Sequence, residues 1–481
     1  MHRRGNAARR AIAAVLAVAG IVAVLIALRA PAAASAGPAR PSLGTPLWSL
    51  RRLPQPVADA AEAQRLQAAL TQRVNGQSAC FTVRERSASL ADAGNDTARV
   101  PASTLKLLTA TAALDRLGRD FHFTTTAAAA GPPQSGVVDR LYLLGGGDPL
   151  LATPERIAVL AKDPEYAGLP TTPLADLADK IAATGVHAIP GGVVGVDDRY
   201  DRTRYHPSWT AGARAAIGPV GALTVNDGHA GPAGTGAAVG DPALNAATEL
   251  TRLLAARGVQ VGAPGRADSA PSATKPVATL DSPPLTDVLT EMLSASDNLS
   301  AEMLVRELAH AAAPNQPGTT AAGIEVVRAA LTRLGVDLTG AVVVDGSGLS
   351  TDDHLRCSTL LEVLGLTARP RFAPIADALP IAATRGTLAT ELKGTPLADN
   401  LRGKTGTLAG VSGLAGFVTA DRPLTFALLV NGAFGESGAF AIRESMATTI
   451  QSFGSGFPLS LVPAPNRPIA PRACPAHNPP C

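Results

Sequence analysis

Ser103-Thr-Leu-Lys106, read together with Ser296-Asp-Asn298 and Lys404-Thr-Gly-Thr407, decides how this chain folds and what it can do. Each pattern is short, and Ser272-Ala-Thr-Lys275 repeats the first one. Context separates the two copies. Ser272 lies between Pro271 and Pro276, whereas Pro101-Ala-Ser103 opens a segment in which Leu105, Leu107, Leu108, Leu114 and Leu117 recur at helical spacing. Residues three apart share a helix face, so the Lys106 amine is predicted to meet the Ser103 hydroxyl in the first turn. A serine hydroxyl becomes a nucleophile when a nearby base takes its proton. Lys106 can be that base when neutral, a state favoured by burial and by a second ammonium at Lys404. The free N–H groups at the helix start suit a developing oxyanion.

Ser296 and Asn298 fall between two predicted helices, 285–293 and 299–311, where side chains can enter a cleft. There Ser296 can pass a proton between Lys106 and a leaving group, and Asn298 can hold Lys106 or a substrate amide. The competing reading is helix capping, which Ser, Asp and Asn all favour. In the third pattern Gly406 is expected to let a substrate backbone approach. The Thr407 N–H can join that of Ser103 in an oxyanion hole. Lys404, Thr405 and Thr407 can hold a carboxylate. Three patterns in this order, each in a suitable local setting, describe a serine acyl-transfer enzyme with Ser103, Lys106 and Ser296 as catalytic groups.

Around these patterns a helix is expected over 57–74 and a strand over 79–84, then a change of texture from 119 to 284. That stretch has its own strands at 141–144 and 193–196, and a helix after Asp241-Pro242 with Leu244, Leu250, Leu253 and Leu254 on one side, stopped by Gly258. It reads as an inserted domain region, because Ser103 before it and Ser296 after it must reach one site. Further strands are expected at 341–344, 403–405, 412–418 and 425–430, and a helix at 439–453. The fold class is α/β (α+β), with helices packed on an antiparallel sheet that is split in sequence. The boundaries are 1–36 signal peptide or membrane anchor, 37–56 linker, 57–118 and 285–457 catalytic domain, 119–284 insertion, and 458–481 Pro-rich tail.

Composition narrows the partners. A net charge of +3 with no dense basic run beyond the N-terminus, and only 3% aromatic residues, gives no case for nucleic acid. Arg3, Arg4, Arg9 and Arg10 precede an uncharged run over 11–28 and the small residues Ala32-Ala-Ala-Ser-Ala36. This pattern predicts export, either by a cleaved signal or with an uncleaved membrane anchor. The site then works outside the cytoplasm, in the periplasm or cell-wall space. With Cys80, Cys357, Cys474 and Cys481 forming no Cys-x-x-Cys pair, and with no His-Glu-x-x-His, neither a zinc site nor a dithiol redox centre is supported, and no motif implies a metal or organic cofactor. Outside the membrane disulfides are permitted. Cys474 with Cys481 would leave Cys80 with Cys357, although four cysteines allow three pairings.

The chain resembles the D-alanyl-D-alanine carboxypeptidase/endopeptidase family of low-molecular-mass penicillin-binding proteins, the peptidase S13 type. Besides the three patterns, Gly146-Gly-Asp148-Pro-Leu150, Asp345-Gly-Ser-Gly-Leu-Ser350 and Gly386-Thr-Leu388 look like that family's signatures in their order. The resemblance spans roughly 57–457. It implies a transpeptidase-like, β-lactamase-like domain interrupted by an insertion, and an acyl-enzyme on Ser103 formed from the D-Ala-D-Ala stem peptides of peptidoglycan. β-Lactams would acylate the same serine. Members commonly carry Arg after the Asp345–Ser350 signature, where this chain has Thr351, and Arg214 stands where some relatives have an acidic, aromatic pocket. Asp148 and Asp345 read as turn and scaffold residues. Two rivals remain: a β-lactamase, for which 119–284 offers no recognisable acidic loop motif, and a wall-binding protein of weak activity.

Overall fold

A computed structural model describes residues 55–419 and 422–453. The predicted export segment, the Pro-rich tail, and Cys474 and Cys481 lie outside the described residues. A five-stranded antiparallel sheet runs in the order Leu401–Leu408, Val411–Val418, Leu424–Asn431, Ser78–Glu85, Ala88–Ala93. Its sequence-distant halves join where Ser78 faces Asn431 and Glu85 faces Leu424. Side chains alternate along a strand, so one strand can feed two cores. From Leu424–Asn431, Phe426, Leu428 and Val430 pack with Leu66, Leu70, Met446 and Ile450 of the helices Gln55–Arg73 and Glu436–Gln451. Ala427 and Leu429 point the other way, into a cluster with Leu105, Leu108, Leu289, Leu304 and Leu360. Burial on both faces explains the nearly unbroken apolar run of this strand.

Residues 119–284 contribute no strand to that sheet. They build a second one, ordered Gly265–Arg266, Val193–Val196, Leu141–Leu144, Thr124–Ala129, Lys275–Asp281, with parallel pairs on one side and antiparallel pairs on the other. The helices Leu174–Ala183 and Pro242–Ala255 cover it around Leu141, Leu177, Ile181, Val193 and Leu250. A separate cluster of Tyr200, Trp209, Ile217, Val220, Leu299, Met303 and Leu349 ties residues 200–222 to the helix Asn298–Ala312.

Four local expectations change, the last at Gly406. Ser103 lies in a 3-10 turn, Ala102–Leu105, that runs into the α-helix Lys106–Arg116, and not in the first α-turn. Residues 341–344 form no strand; Val342 is 45% exposed and makes only an isolated pairing with His354. A β-branched run reads as strand, but here it joins none of the sheets. Leu244 is 40% exposed, because Ala243, Ala246 and Ala247 carry the buried face with Leu250, Leu253 and Leu254.

The Ser103 turn is held against the sheet by a missing side chain. A Cβ on Gly406 would lie 2.7 Å from the Pro101 carbonyl oxygen and 3.2 Å from the Thr104 nitrogen. The expectation that Gly406 admits substrate is therefore replaced: it admits the protein's own turn. Gly406→Ala should push that turn outward and destabilise the fold by about 1–3 kcal/mol, the usual cost of overpacking; an unchanged denaturant midpoint would contradict this. A disulfide joins Cys80, in the strand Ser78–Glu85, to Cys357, at the start of the helix Cys357–Leu366, across 277 residues. Replacing both by alanine should lower unfolding free energy by about 2–5 kcal/mol, measured by denaturant titration beside the wild type.

Candidate active site

The three patterns meet in one cleft of about 670 Å³, lined by Ser103, Ser296, Thr405 and Thr407 together with Glu165, Thr387, Glu391 and Arg443. Ser272 and Lys275 of the duplicate pattern are exposed and take no part. The fully buried Lys106 amine lies 2.9 Å from Ser103 Oγ, 2.7 Å from Asn298 Oδ1 and 2.8 Å from the Ser347 carbonyl. The Asn298 amide is oriented by its Nδ2 donating to the Ala216 carbonyl at 2.9 Å. A residue of the 119–284 segment thus sets which end of Asn298 faces the lysine.

That arrangement dictates where a neutral Lys106 keeps its lone pair. Two of its three neighbours are carbonyl oxygens, which only accept, so its two protons go to them. The remaining lone pair faces the Ser103 hydroxyl. Burial draws the amine down to about 8, against the attraction of Asp297, Asp345, Glu302 and Glu291. Lys404, also fully buried, is pushed well below the ordinary lysine range by burial and then by the neighbouring Lys106. Its amine donates to Ser296 Oγ at 2.7 Å and to the Thr405 carbonyl at 3.1 Å.

The capping and catalytic readings of Ser296-Asp-Asn298 divide between the residues. Asp297 is the N-cap of the helix Asn298–Ala312, its carboxylate accepting from the Ser300 N–H at 2.6 Å. Ser296 and Asn298 on either side meet the two lysines. Ser296 holds φ of +61°, and Ala102, just before Ser103, holds +48°. Both sit in the left-handed region that non-glycine residues avoid, a strain that surrounding structure must sustain.

The Leu401–Leu408 strand lies at the sheet edge. The Gly403 N–H leaves the sheet to donate to the Pro380 carbonyl. With a two-residue repeat and no register shift, the N–H groups of Thr405 and Thr407 turn to the same outer side. The Thr407 N–H is therefore directed away from the sheet on a strand that lines the cleft with Ser103.

Several further contributors lie outside the three patterns. The loop 345–350 supplies the Ser347 carbonyl. Asp345 anchors it by accepting from the N–H groups of Gly348 and Ser350 and from Trp209 Nε1 at 2.7–2.8 Å, and Glu302 accepts from Gly346 and Ser347. Gly348, at φ +80°, is required because a Cβ would lie 2.0 Å from the Ala102 carbonyl oxygen. Arg443 reaches Thr407 from the C-terminal helix, and Thr387 Oγ1 pairs with Thr405 Oγ1 at 2.8 Å. Glu165 brings a carboxylate into the cleft from the 119–284 segment, which no motif marks; burial raises its carboxyl above the usual range. Arg214 and Thr351 are both exposed. Asp148 is a turn residue, accepting from the Leu150 N–H.

Comparison with known proteins places this geometry. The model of the D-Ala-D-Ala carboxypeptidase 3 (S13) family matches residues 62–232 and 227–452. The carboxypeptidase DacB of Mycolicibacterium smegmatis is 34% identical over 389 residues, covering 78% of this chain and 80% of that protein. A D-alanyl-D-alanine carboxypeptidase of Actinomadura sp. strain R39 is 28% identical over 435 residues, covering 74% and 77%. The crystal structure of penicillin binding protein 4 from Haemophilus influenzae shares the fold with a TM-score of 0.67 at 22% identity, over 80% of this chain and 99% of that one. With its paired lysines and serines converging on one cleft, the chain belongs to the D-Ala-D-Ala carboxypeptidase 3 (S13) family.

Proposed function

We propose that this protein is a serine DD-peptidase acting on D-Ala-D-Ala stem peptides of peptidoglycan, with Ser103 as the nucleophile. The single observation that carries the reading is the Lys106 amine, buried and held so that its lone pair faces the Ser103 hydroxyl at 2.9 Å. Ser103 Oγ bonds to the carbonyl carbon of the penultimate D-Ala while its proton passes to Lys106. The oxyanion is received by the N–H groups of Ser103 and Thr407. Collapse breaks the C–N bond; Ser296, whose Oγ accepts from Lys404, gives its own proton to the leaving amine and takes up in return the one Lys106 received from Ser103. Water then cleaves the ester, releasing the shortened peptide and restoring Ser103. Asn298, Lys404, Thr405 and Thr407 hold the substrate.

The leaving group is a terminal D-Ala in a carboxypeptidase and a cross-linked stem in an endopeptidase; the acylation is common to both. A β-lactam presents its carbonyl to the same serine, and a solved structure of the Haemophilus influenzae protein is complexed with one. Site chemistry on peptidoglycan accords with the export pattern of residues 1–36 and supports reading the protein as one that works outside the cytoplasm, free or held at the membrane. The strands and apolar cluster of residues 119–284 support reading that segment as an inserted domain. Glu165 in the cleft favours one second reading, β-lactam hydrolysis, because a carboxylate there can activate water against an acyl-enzyme.

A fluorescent penicillin should label Ser103 stably and stoichiometrically, as located by peptide mass spectrometry. Rapid loss of the label with turnover would instead identify a β-lactamase. Ser103→Ala should abolish the label and reduce D-Ala release at least about a thousandfold; label retained on the variant would sink the assignment. The acylation rate should rise with pH through a single limb centred near the Lys106 value of about 8. The base works only when neutral, so the rate is lost as pH falls below that value. A stopped-flow profile flat from pH 6 to pH 10, on a range set by the usual lysine titration, would remove Lys106 from the role of base.

A further inference from the structure

One short stretch of the 119–284 segment reaches both carbonyl acceptors of Lys106. The Asn298 amide donates to the Ala216 carbonyl at 2.9 Å. The Ser347 carbonyl belongs to the loop tied to Asp345, whose Oδ1 accepts from the Ser347 and Gly348 N–H groups at 3.1 and 2.7 Å. Asp345 Oδ2 accepts from the Ser350 N–H at 2.8 Å and, out of the 119–284 segment, from Trp209 Nε1 at 2.7 Å. A second tie is Ser208 Oγ, 2.8 Å from Ser350 Oγ and 2.7 Å from His206 Nδ1. Residues 208–216 thus grip the surroundings of Lys106 from two sides, although none of them bonds to the amine or lines the cleft.

Apolar packing repeats the pattern. Trp209 is 3% exposed and clusters with Ile217, with Leu299 beside Asn298, and with Leu349 of the 345–350 loop. Packing gives the indole a seat, but it does not set where the loop carbonyl points. Direction comes from the one donor an indole has, and that donor is given to a wholly buried carboxylate. Without it, one oxygen of Asp345 loses a partner that no solvent can replace, and the loop must shift to compensate.

Resting on the DD-peptidase reading above, we propose that Trp209 is a positioning residue for the reaction: its indole N–H fixes Asp345 and, through the loop, the Ser347 carbonyl, which keeps the Lys106 lone pair on the Ser103 hydroxyl. When that carbonyl drifts, the amine proton it accepted can turn toward Ser103 Oγ, and the lone pair turns away. Proton transfer then slows, while the groups that hold the substrate stay in place. The inserted segment thereby supports the base from outside the cleft.

Stopped-flow acylation of the full chain by a fluorescent penicillin gives the acylation rate constant, the binding constant and the number of labelled sites separately. Trp209→Phe keeps a ring in the apolar seat and deletes the N–H. Its acylation rate constant should fall about ten- to a hundredfold, the range for a lost hydrogen bond to a charged group, with binding and final stoichiometry unchanged. Ser208→Ala removes the second tie without touching the apolar cluster and should slow acylation about two- to tenfold, the range for a neutral hydrogen bond; it decides the matter should Trp209→Phe not fold. A wild-type rate constant in the deciding variant would overturn the proposal. So would a loss seen only as fewer labelled sites or weaker binding, which is how a purely structural contact would show. Wild type run alongside separates the two levels. Labelling of Ser103 in wild type with variants that acylate as fast defeats this inference alone, whereas an unlabelled wild type defeats the DD-peptidase reading and the inference with it.

Discussion

The Lys106 amine is the constraint on which the rest of the structure depends. A buried amine without hydrogen-bond partners is costly, and here its three partners come from three parts of the chain: Ser103 one turn away, Asn298 192 residues on, and the Ser347 carbonyl 241 residues on. Each of these is held by something further out. Asn298 is aimed by the Ala216 carbonyl, and the Ser347 loop hangs from Asp345 and Glu302. The surrounding carboxylates favour the ammonium and burial favours the amine; burial prevails and draws the amine down to about 8.

Close packing of backbone against backbone carries the same logic into the turn that bears Ser103. Gly406 and Gly348 approach it from the edge strand and from the Ser347 loop, at positions where a Cβ would collide with the carbonyls of Pro101 and Ala102. Squeezed between them, Ala102 takes a left-handed φ. The strain is affordable because the turn continues into a helix whose Leu105, Leu107, Leu108 and Leu114 are wholly buried. The disulfide anchors the strand Ser78–Glu85 to the helix Cys357–Leu366 in the same core.

Much of this was legible in residues. Apolar periodicity found the helices on either side of Ser296-Asp-Asn298 and the strands at 141–144, 193–196, 412–418 and 425–430 to within a few residues. It failed at 341–344, where β-branched residues line a loop, and at Leu244, where alanines and not leucines face the core. Those failures share a cause: periodicity reports which side chains can be buried, and a neighbouring element decides which are. The paired lysines and serines were readable because their spacing or order is distinctive. Arg443, Glu391 and Glu165 were not, since a single charged residue far along the chain leaves no local pattern, and the signature at 345–350 did not reveal that its Ser347 carbonyl meets Lys106.

By itself the sequence determined the family, the split α/β architecture and the list of groups able to perform acyl transfer, because these depend on residue type, order and short-range periodicity. Only the tertiary structure decided which way each group points. Sequence left Asn298 free to cap a helix or to hold Lys106, and Gly406 free to admit substrate or a turn. Contacts in space chose: Asp297 caps, Asn298 holds the amine from 192 residues away, Gly406 receives the Ser103 turn, and Arg443 donates to Thr407. Hydrogen-bond direction and steric exclusion act over a few ångströms of space, and chain order carries no record of that distance.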